Sequence, residues 1–166
     1  MLRAVQADIT LLPVDAVVNA ANDQLLAGGG VCGAIFRSAG SRALAAACKP
    51  LAPCPTGEAR TTPGFNLPAR FIIHAVGPVW QGGGRGEAAL LASAYHAALR
   101  ELQAVGGRSV AFPAISAGIY GFPRDQAARI AVASVREAMR GQDEVDVTFA
   151  CFDAETLGLY ERELAA

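Results

Sequence analysis

Short apolar runs bounded by glycine, proline or aspartate alternate along this chain with segments of helical period, and few folds accept that order. LRAVQA (2–7), AVVNAA (16–21), EARTT (58–62), RFIIHAVG (70–77), RSVAFPAI (108–115) and VDVTFACF (145–152) read as strands. The third and fourth are joined by the turn-rich PGFNLPA. A helix is predicted over 31–39, closed by Gly40, and a second from Ser41, read as its N-cap, to Cys48, where Pro50 stops it. A long helix runs from Glu87 to Gln103, with Leu90, Leu91, Ala94, Tyr95, Ala98 and Leu102 on its apolar side. Pro123 suits the first position of a helix reaching about Arg140, with Asp125 favourably placed in its first turn. The last helix spans 154–164. Strands alternating with helices over this length predict one α/β domain, residues 1–166, with helices on both faces of a sheet.

Composition removes several classes of function. With 52% hydrophobic residues and only 17% charged, the chain is not a disordered one. No apolar run approaches the roughly 20 residues that cross a bilayer, and the N-terminus lacks a signal core. A cytoplasmic protein is expected. The net charge is −1 and the basic residues are scattered, so nucleic acid is not the expected partner. Cys32, Cys48, Cys54 and Cys151 form no C-x-x-C pair and have no metal-ligand spacing. The last three read as small apolar filler. His74, within a strand, and His96, on the long helix, read as structural.

Two loops carry chemistry. In AVVNAANDQLLAGGGVCGAI a strand, a polar loop and Gly28-Gly29-Gly30 run into a helix. Glycines let backbone approach an anion, and a helix N-terminus offers free N–H groups and partial positive charge. The pattern is neither G-x-G-x-x-G nor a Walker A motif, and a tight turn would also explain the glycines. FPAISAGIYGFPRDQAARI repeats the logic with Ser116, Ala117, Gly118, Ile119 and Tyr120 before a helix. Two such loops at the C-terminal ends of strands would face one another across a crevice, with room for a diphosphate between them. Tyr120 would cover a sugar.

ADIT (7–10), DAVVNAAN (15–22), GGGVCGAI (28–35), CPTGEA (54–59), HAVGPVW (74–80) and PAISAGIYGFP (113–123) together resemble the macrodomains. The nearest subgroup is the MacroD type, which includes bacterial O-acetyl-ADP-ribose deacetylases, and the likeness runs over essentially the whole chain. It implies a three-layer α/β/α sandwich with a central mixed sheet and an ADP-ribose cleft. It also implies that Asp8, with the Ile9 backbone beside it, meets the adenine amino group. Asn22 would hold the distal ribose. Gly29, Gly30, Val31 and Cys32 would form one phosphate loop, and Ser116 to Tyr120, with Gly121 and Phe122, the other. Phe152 would lie against adenine. The residues themselves leave simpler readings open: Asp8 or Asn22 as turn formers, Phe152 as core.

One position departs from the family pattern. MacroD-type hydrolases normally carry aspartate where this chain has Cys32, and usually histidine where it has Phe36. A neutral thiol does not replace a water-activating carboxylate. Three consequences follow. Hydrolysis persists through Asn22 and a water held against the ligand's own phosphate; or the protein only reads ADP-ribose and ADP-ribosylated proteins; or the thiol itself, at a helix N-terminus, is functional. Asp23 is a further, weaker candidate base. The expectation taken forward is a monomeric enzyme that hydrolyses an ester at the distal ribose of O-acetyl-ADP-ribose or of proteins mono-ADP-ribosylated on Asp or Glu, with no metal or redox cofactor. Non-catalytic reading is the alternative.

Overall fold

The computed structural model describes all residues, 1–166. Six strands form one mixed sheet: β1 (Leu2–Gln6), β2 (Ala16–Ala21), β3 (Ala59–Pro63), β4 (Phe71–Val76), β5 (Ser109–Phe112) and β6 (Asp146–Cys151). Their spatial order is β1-β6-β5-β2-β4-β3, all neighbours parallel except the edge pair β3–β4. β2 and β4 are almost wholly buried, which is why AVVNAA and FIIHAV read as continuous apolar runs and not as alternating ones.

Helices α1 (Gly30–Ala39) and α2 (Ser41–Cys48) cover one face. There Ile35, Phe36, Ala39 and Leu44 pack with Val17 and Ile72. Helices α3 (Glu87–Ala104), α4 (Arg124–Ala138) and α5 (Ala154–Ala165) cover the other, where Leu91, Tyr95, Ala128 and Tyr160 meet Ile73, Phe112 and Phe149. The result is the three-layer α/β/α sandwich. Truncating a fully buried Ile72 or Ile73 to alanine costs about 2–5 kcal/mol in such a core.

Three local expectations are corrected. Ser41 does not cap α2: Gly40, at φ 107°, takes the cap position, and the turn it makes draws Ser41 into the helix as its first residue. Pro123 is itself the cap of α4, which starts at Arg124, because its ψ of 125° is not helical. The fifth strand stops at Phe112, and Pro113 to Ile115 already belong to the loop. A short 3₁₀ turn over Ile9–Leu11 was not anticipated.

The site is prepared by how β2 and β5 part. They pair only at Ala16–Val110 and Val17–Ala111. Beyond these positions the chain after β2 turns to α1 on one face and the chain after β5 turns to α4 on the other. A crevice at the carboxyl ends of the strands follows from this reversal of direction.

Candidate functional site

The first loop reaches α1 with its donors unspent. The N–H groups of Gly30, Val31 and Cys32 bond to no group of the chain, and the first internal bond runs from Gly33 N–H to the Gly29 carbonyl, 3.3 Å. This is the ordinary deficit of a helix N-terminus, here opened onto a crevice. Gly33 is required for another reason: a Cβ there would lie 2.5 Å from the Gly28 carbonyl oxygen and push the loop away from its helix.

The second loop is folded on itself so that it also presents donors. Ala117 N–H bonds the Ala114 carbonyl, Gly121 N–H that of Gly118, and Phe122 N–H that of Ser116 at 2.9 Å. The N–H groups of Ser116, Gly118, Ile119 and Tyr120 remain free. Ser116 holds the left-handed region at φ 64°, a strained choice for a residue with a side chain. Its hydroxyl is buried with no partner and sits against Gly77, where any side chain would collide with it. From α3 the buried Tyr95 hydroxyl accepts from Ile115 N–H (3.3 Å) and donates to the Pro113 carbonyl (3.4 Å), pinning the root of the loop.

The two loops touch. Ile119, 77% exposed, lays its Cδ1 within 3.0 Å of where a Cβ on Gly29 would stand. Both loops thus carry unpaired N–H groups, one after β2 and one after β5, and a single aliphatic side chain joins them, an arrangement suited to an extended anion.

β1 is the edge strand on the β5 side of the sheet. Asp8 Oδ1 accepts from Thr10 N–H (3.0 Å) and from the Thr10 hydroxyl (2.6 Å), capping the 3₁₀ turn that buries Ile9. Oδ2 has no partner in the chain, so Asp8 forms the turn and still offers an acceptor. Phe152 follows β6, which pairs with β1, and is 91% exposed, so the core reading of this residue is excluded.

Asn22, directly after β2, has both atoms of its amide engaged. Its Nδ2 donates to the Leu26 carbonyl (2.8 Å) and its Oδ1 accepts from Leu26 N–H (3.0 Å). The turn-forming role expected as an alternative is therefore real, and it fixes the orientation of the amide. Cys32 joins the same carbonyl: the buried thiol donates to Leu26 O (3.6 Å) and accepts from Asn19 Nδ2 (3.7 Å). Asn19 contacts His74 Nδ1 (3.1 Å), and His74 Nε2 faces the Thr62 hydroxyl (2.9 Å) and the Cys48 thiol (3.8 Å). Burial drops the His74 pKa to about 4, so the ring is neutral at pH 7. Burial, helped by the neighbouring Cys32, lifts the Cys48 thiol to about 11. His74 is structural in the sense expected, and it anchors the strand beneath Cys32. Tyr120 is pushed above the ordinary phenol value, first by burial and then by the Asp23 carboxylate and Cys32.

The two loops thus meet through Ile119 and Gly29 at the carboxyl ends of β5 and β2, while His96 lies elsewhere, 3.8 Å from Glu137 on α4. Sequence reasoning missed Tyr95 as a support of the second loop and Glu87 as an internal anion. Glu87 is buried at the start of α3, and its carboxylate accepts from the N–H groups of Gln81 (2.8 Å), Gly83 (3.0 Å) and Arg85 (2.7 Å). A cavity of about 240 Å³ opens at the opposite end of the sheet, beside Gln103, Arg108 and Gln142. It contains no buried unpartnered polar atom and lacks the chemistry of the crevice.

A sandwich with unpaired amides on two loops at a switch point in an α/β sheet is an arrangement such folds use for anions. Residues 18–131 match the Macro domain family. A macro domain-containing protein of Ralstonia nicotianae is 56% identical over 98% of this chain and 94% of its own length. An O-acetyl-ADP-ribose deacetylase of Klebsiella pneumoniae is 50% identical over 99% of this chain and 96% of its own. Among solved structures, the Oceanobacillus iheyensis macrodomain with ADP superposes with a TM-score of 0.92 at 38% identity, covering 98% of this chain and 88% of that one. The Trypanosoma brucei macrodomain in complex with ADP-ribose gives 0.90 at 37%, covering 98% and 68%. The chain belongs to the macrodomain family.

Proposed function

We propose that this chain binds ADP-ribose in the crevice and hydrolyses an ester at its distal ribose, either in O-acetyl-ADP-ribose or in proteins mono-ADP-ribosylated on Asp or Glu. The observation that carries the proposal is the pair of facing loops with seven unspent N–H donors, three in the first and four in the second. A diphosphate between them is neutralised by oriented amide dipoles and needs no lysine or arginine. Asp8 Oδ2 and the Phe152 ring then meet adenine, and Asn22 and Tyr120 meet the distal ribose. Likeness to a deacetylase at 50% identity supports the enzyme.

In the reaction, water adds at the ester-like centre, the distal ribose regains its hydroxyl, and the acid leaves as a carboxylate with release of a proton. Cys32 is no general base here, because its thiol is engaged by Leu26 O on one side and Asn19 on the other. Catalysis rests instead on geometry: Asn22, locked to the Leu26 backbone, orients the ribose, and a phosphate-held water attacks. Absence of a positioned base lowers the rate by about 10²–10⁴-fold relative to an enzyme that has one. The same engaged thiol favours the second reading, a reader of ADP-ribosylated proteins that does not turn over.

The deciding assay follows ADP-ribose release from a protein mono-ADP-ribosylated on acidic residues, beside the Cys32→Asp variant. Release by the natural chain supports hydrolysis without the carboxylate. Release by the variant alone makes the natural chain a reader, and failure of both to bind ADP-ribose overturns the proposal.

A further inference from the structure

We infer that Glu87 is a positioning residue for the crevice: by filling its own loop with a carboxylate it holds Trp80 in place, and Trp80 in turn fixes Tyr120 and Phe122 of the second loop. The inference rests on the proposed function, since it assigns Glu87 a part in recognising the distal half of ADP-ribose.

The chain of contacts is short. The carboxylate takes three backbone N–H groups of the Gln81–Gly86 loop at 2.7–3.0 Å, and these bonds hold its pKa down at about 2. The loop so tied lies over the Trp80 ring, and a Cβ on Gly83 would stand 2.9 Å from Cη2 of the indole. Trp80 N–H donates to the Tyr120 carbonyl at 2.8 Å, and its ring packs on that of Phe122 at 4.7 Å between centroids, tilted by 54°. Trp80 therefore grips the second loop at Tyr120, the last residue with a free N–H, and at Phe122 just beyond it. Tyr95 pins the root of this loop and Trp80 its far end.

The sheet order makes the effect directional. Trp80 follows β4, which lies beyond β2, whereas Asp8 and Phe152 follow β1 and β6 on the other side of the crevice. Loosening the Gln81–Gly86 loop thus disturbs the end that meets the distal phosphate and ribose and leaves the adenine end alone. Trp80 is the only tryptophan of the chain, so its emission reports the contact directly.

The test is Glu87→Gln, with affinity for ADP-ribose and for adenosine measured by calorimetry and by NMR, and Trp80 emission recorded through each titration. In the natural protein ADP-ribose changes Trp80 emission. In Glu87→Gln affinity for ADP-ribose falls about tenfold, the loss expected when one or two amide contacts to the ligand go out of line, while affinity for adenosine is unchanged. A general loss of structure weakens both ligands equally and overturns the inference, as does an ADP-ribose affinity equal to that of the natural protein. If Glu87→Gln does not fold, Gly83→Ala, which presses on the Trp80 ring from the exposed loop, gives the same two-ligand comparison. Failure of the natural protein to bind ADP-ribose at all defeats the proposed function; normal binding with intact affinity in the variants defeats only the role of Glu87.

Discussion

Two glycine triplets in this chain lead into helices, and they do opposite things. AGGGVCG opens α1 and leaves the N–H groups of Gly30, Val31 and Cys32 without partners. QGGGRGE opens α3, and its N–H groups at Gln81, Gly83 and Arg85 converge on the carboxylate of Glu87. Both loops obey the same physics: backbone donors without partners in regular structure, at or just before a helix start, where permissive backbone and the helix end favour negative charge. What separates them is one residue. The first position of α3 is an acid that folds back; the first position of α1 is glycine. A nest filled from within is a piece of scaffold, and an empty one facing a crevice is a place for a ligand.

The most severe way to break the comparison is to fill the empty nest. Val31→Glu places an acid in the first turn of α1, from a half-buried position beside the free donors. Affinity for ADP is expected to fall by about a hundredfold or more, through lost amide contacts and repulsion between like charges, while the thermal midpoint changes little. Calorimetry with ADP and a melting curve decide it. Undiminished binding by a folded variant means the first loop does not hold the anion.

A smaller effect sharpens the contrast at Asp8, which divides its carboxylate between the two roles. One oxygen closes the Ile9–Leu11 turn as Glu87 closes its loop, and the other has no partner in the chain. Asp8→Asn keeps an acceptor for the turn and offers an amide N–H₂ where adenine needs an acceptor. ADP-ribose should bind about tenfold more weakly, and the hypoxanthine analogue, which lacks the amino group, should be unaffected. Equal losses for the two ligands remove the adenine contact.

These particulars show where sequence reasoning reaches and where it stops. The α/β order was legible because strand and helix periods differ and because buried parallel strands read as unbroken apolar runs. The two loops were legible because glycine before a helix has a local meaning. Glu87 was not read as an internal anion, although it stands directly after the glycines. Whether an acid at a helix start folds back or points to solvent depends on the path of the loop, which periodicity does not carry. Tyr95 was read correctly as apolar core, yet its hydroxyl supports the second loop. A helical face tells which side is buried, but not what a phenol at its end will touch. Cys32 was legible as a departure, and the line of contacts behind it, from Asn19 to His74 to Thr62, was not, since these come from three different strands and meet only in the sheet.

The mildest test concerns the filled nest and acid. Glu87 has its pKa lowered to about 2 from an ordinary value of 4.5, chiefly by the N–H of Gln81 and then by those of Gly83 and Arg85, against an opposing effect of burial. A carboxylate whose pKa is lower in the folded state gives stability that is complete above the unfolded value and vanishes as pH falls through the folded one. The contribution is therefore whole at pH 7, begins to fade near pH 4.5 and is gone near pH 2. In urea titrations at a series of pH values, Glu87→Gln should be less stable than the natural protein at neutral pH, and the gap should narrow steadily below pH 4.5. Subtracting the variant cancels every other carboxylate, so the shape of the difference belongs to this one loop. A gap that stays constant down to pH 3 would mean that what the amide loses in the nest does not come from the charge. The QGGGRGE loop would then owe its shape to hydrogen-bond count alone, and the contrast with the first loop would rest on occupancy and not on charge.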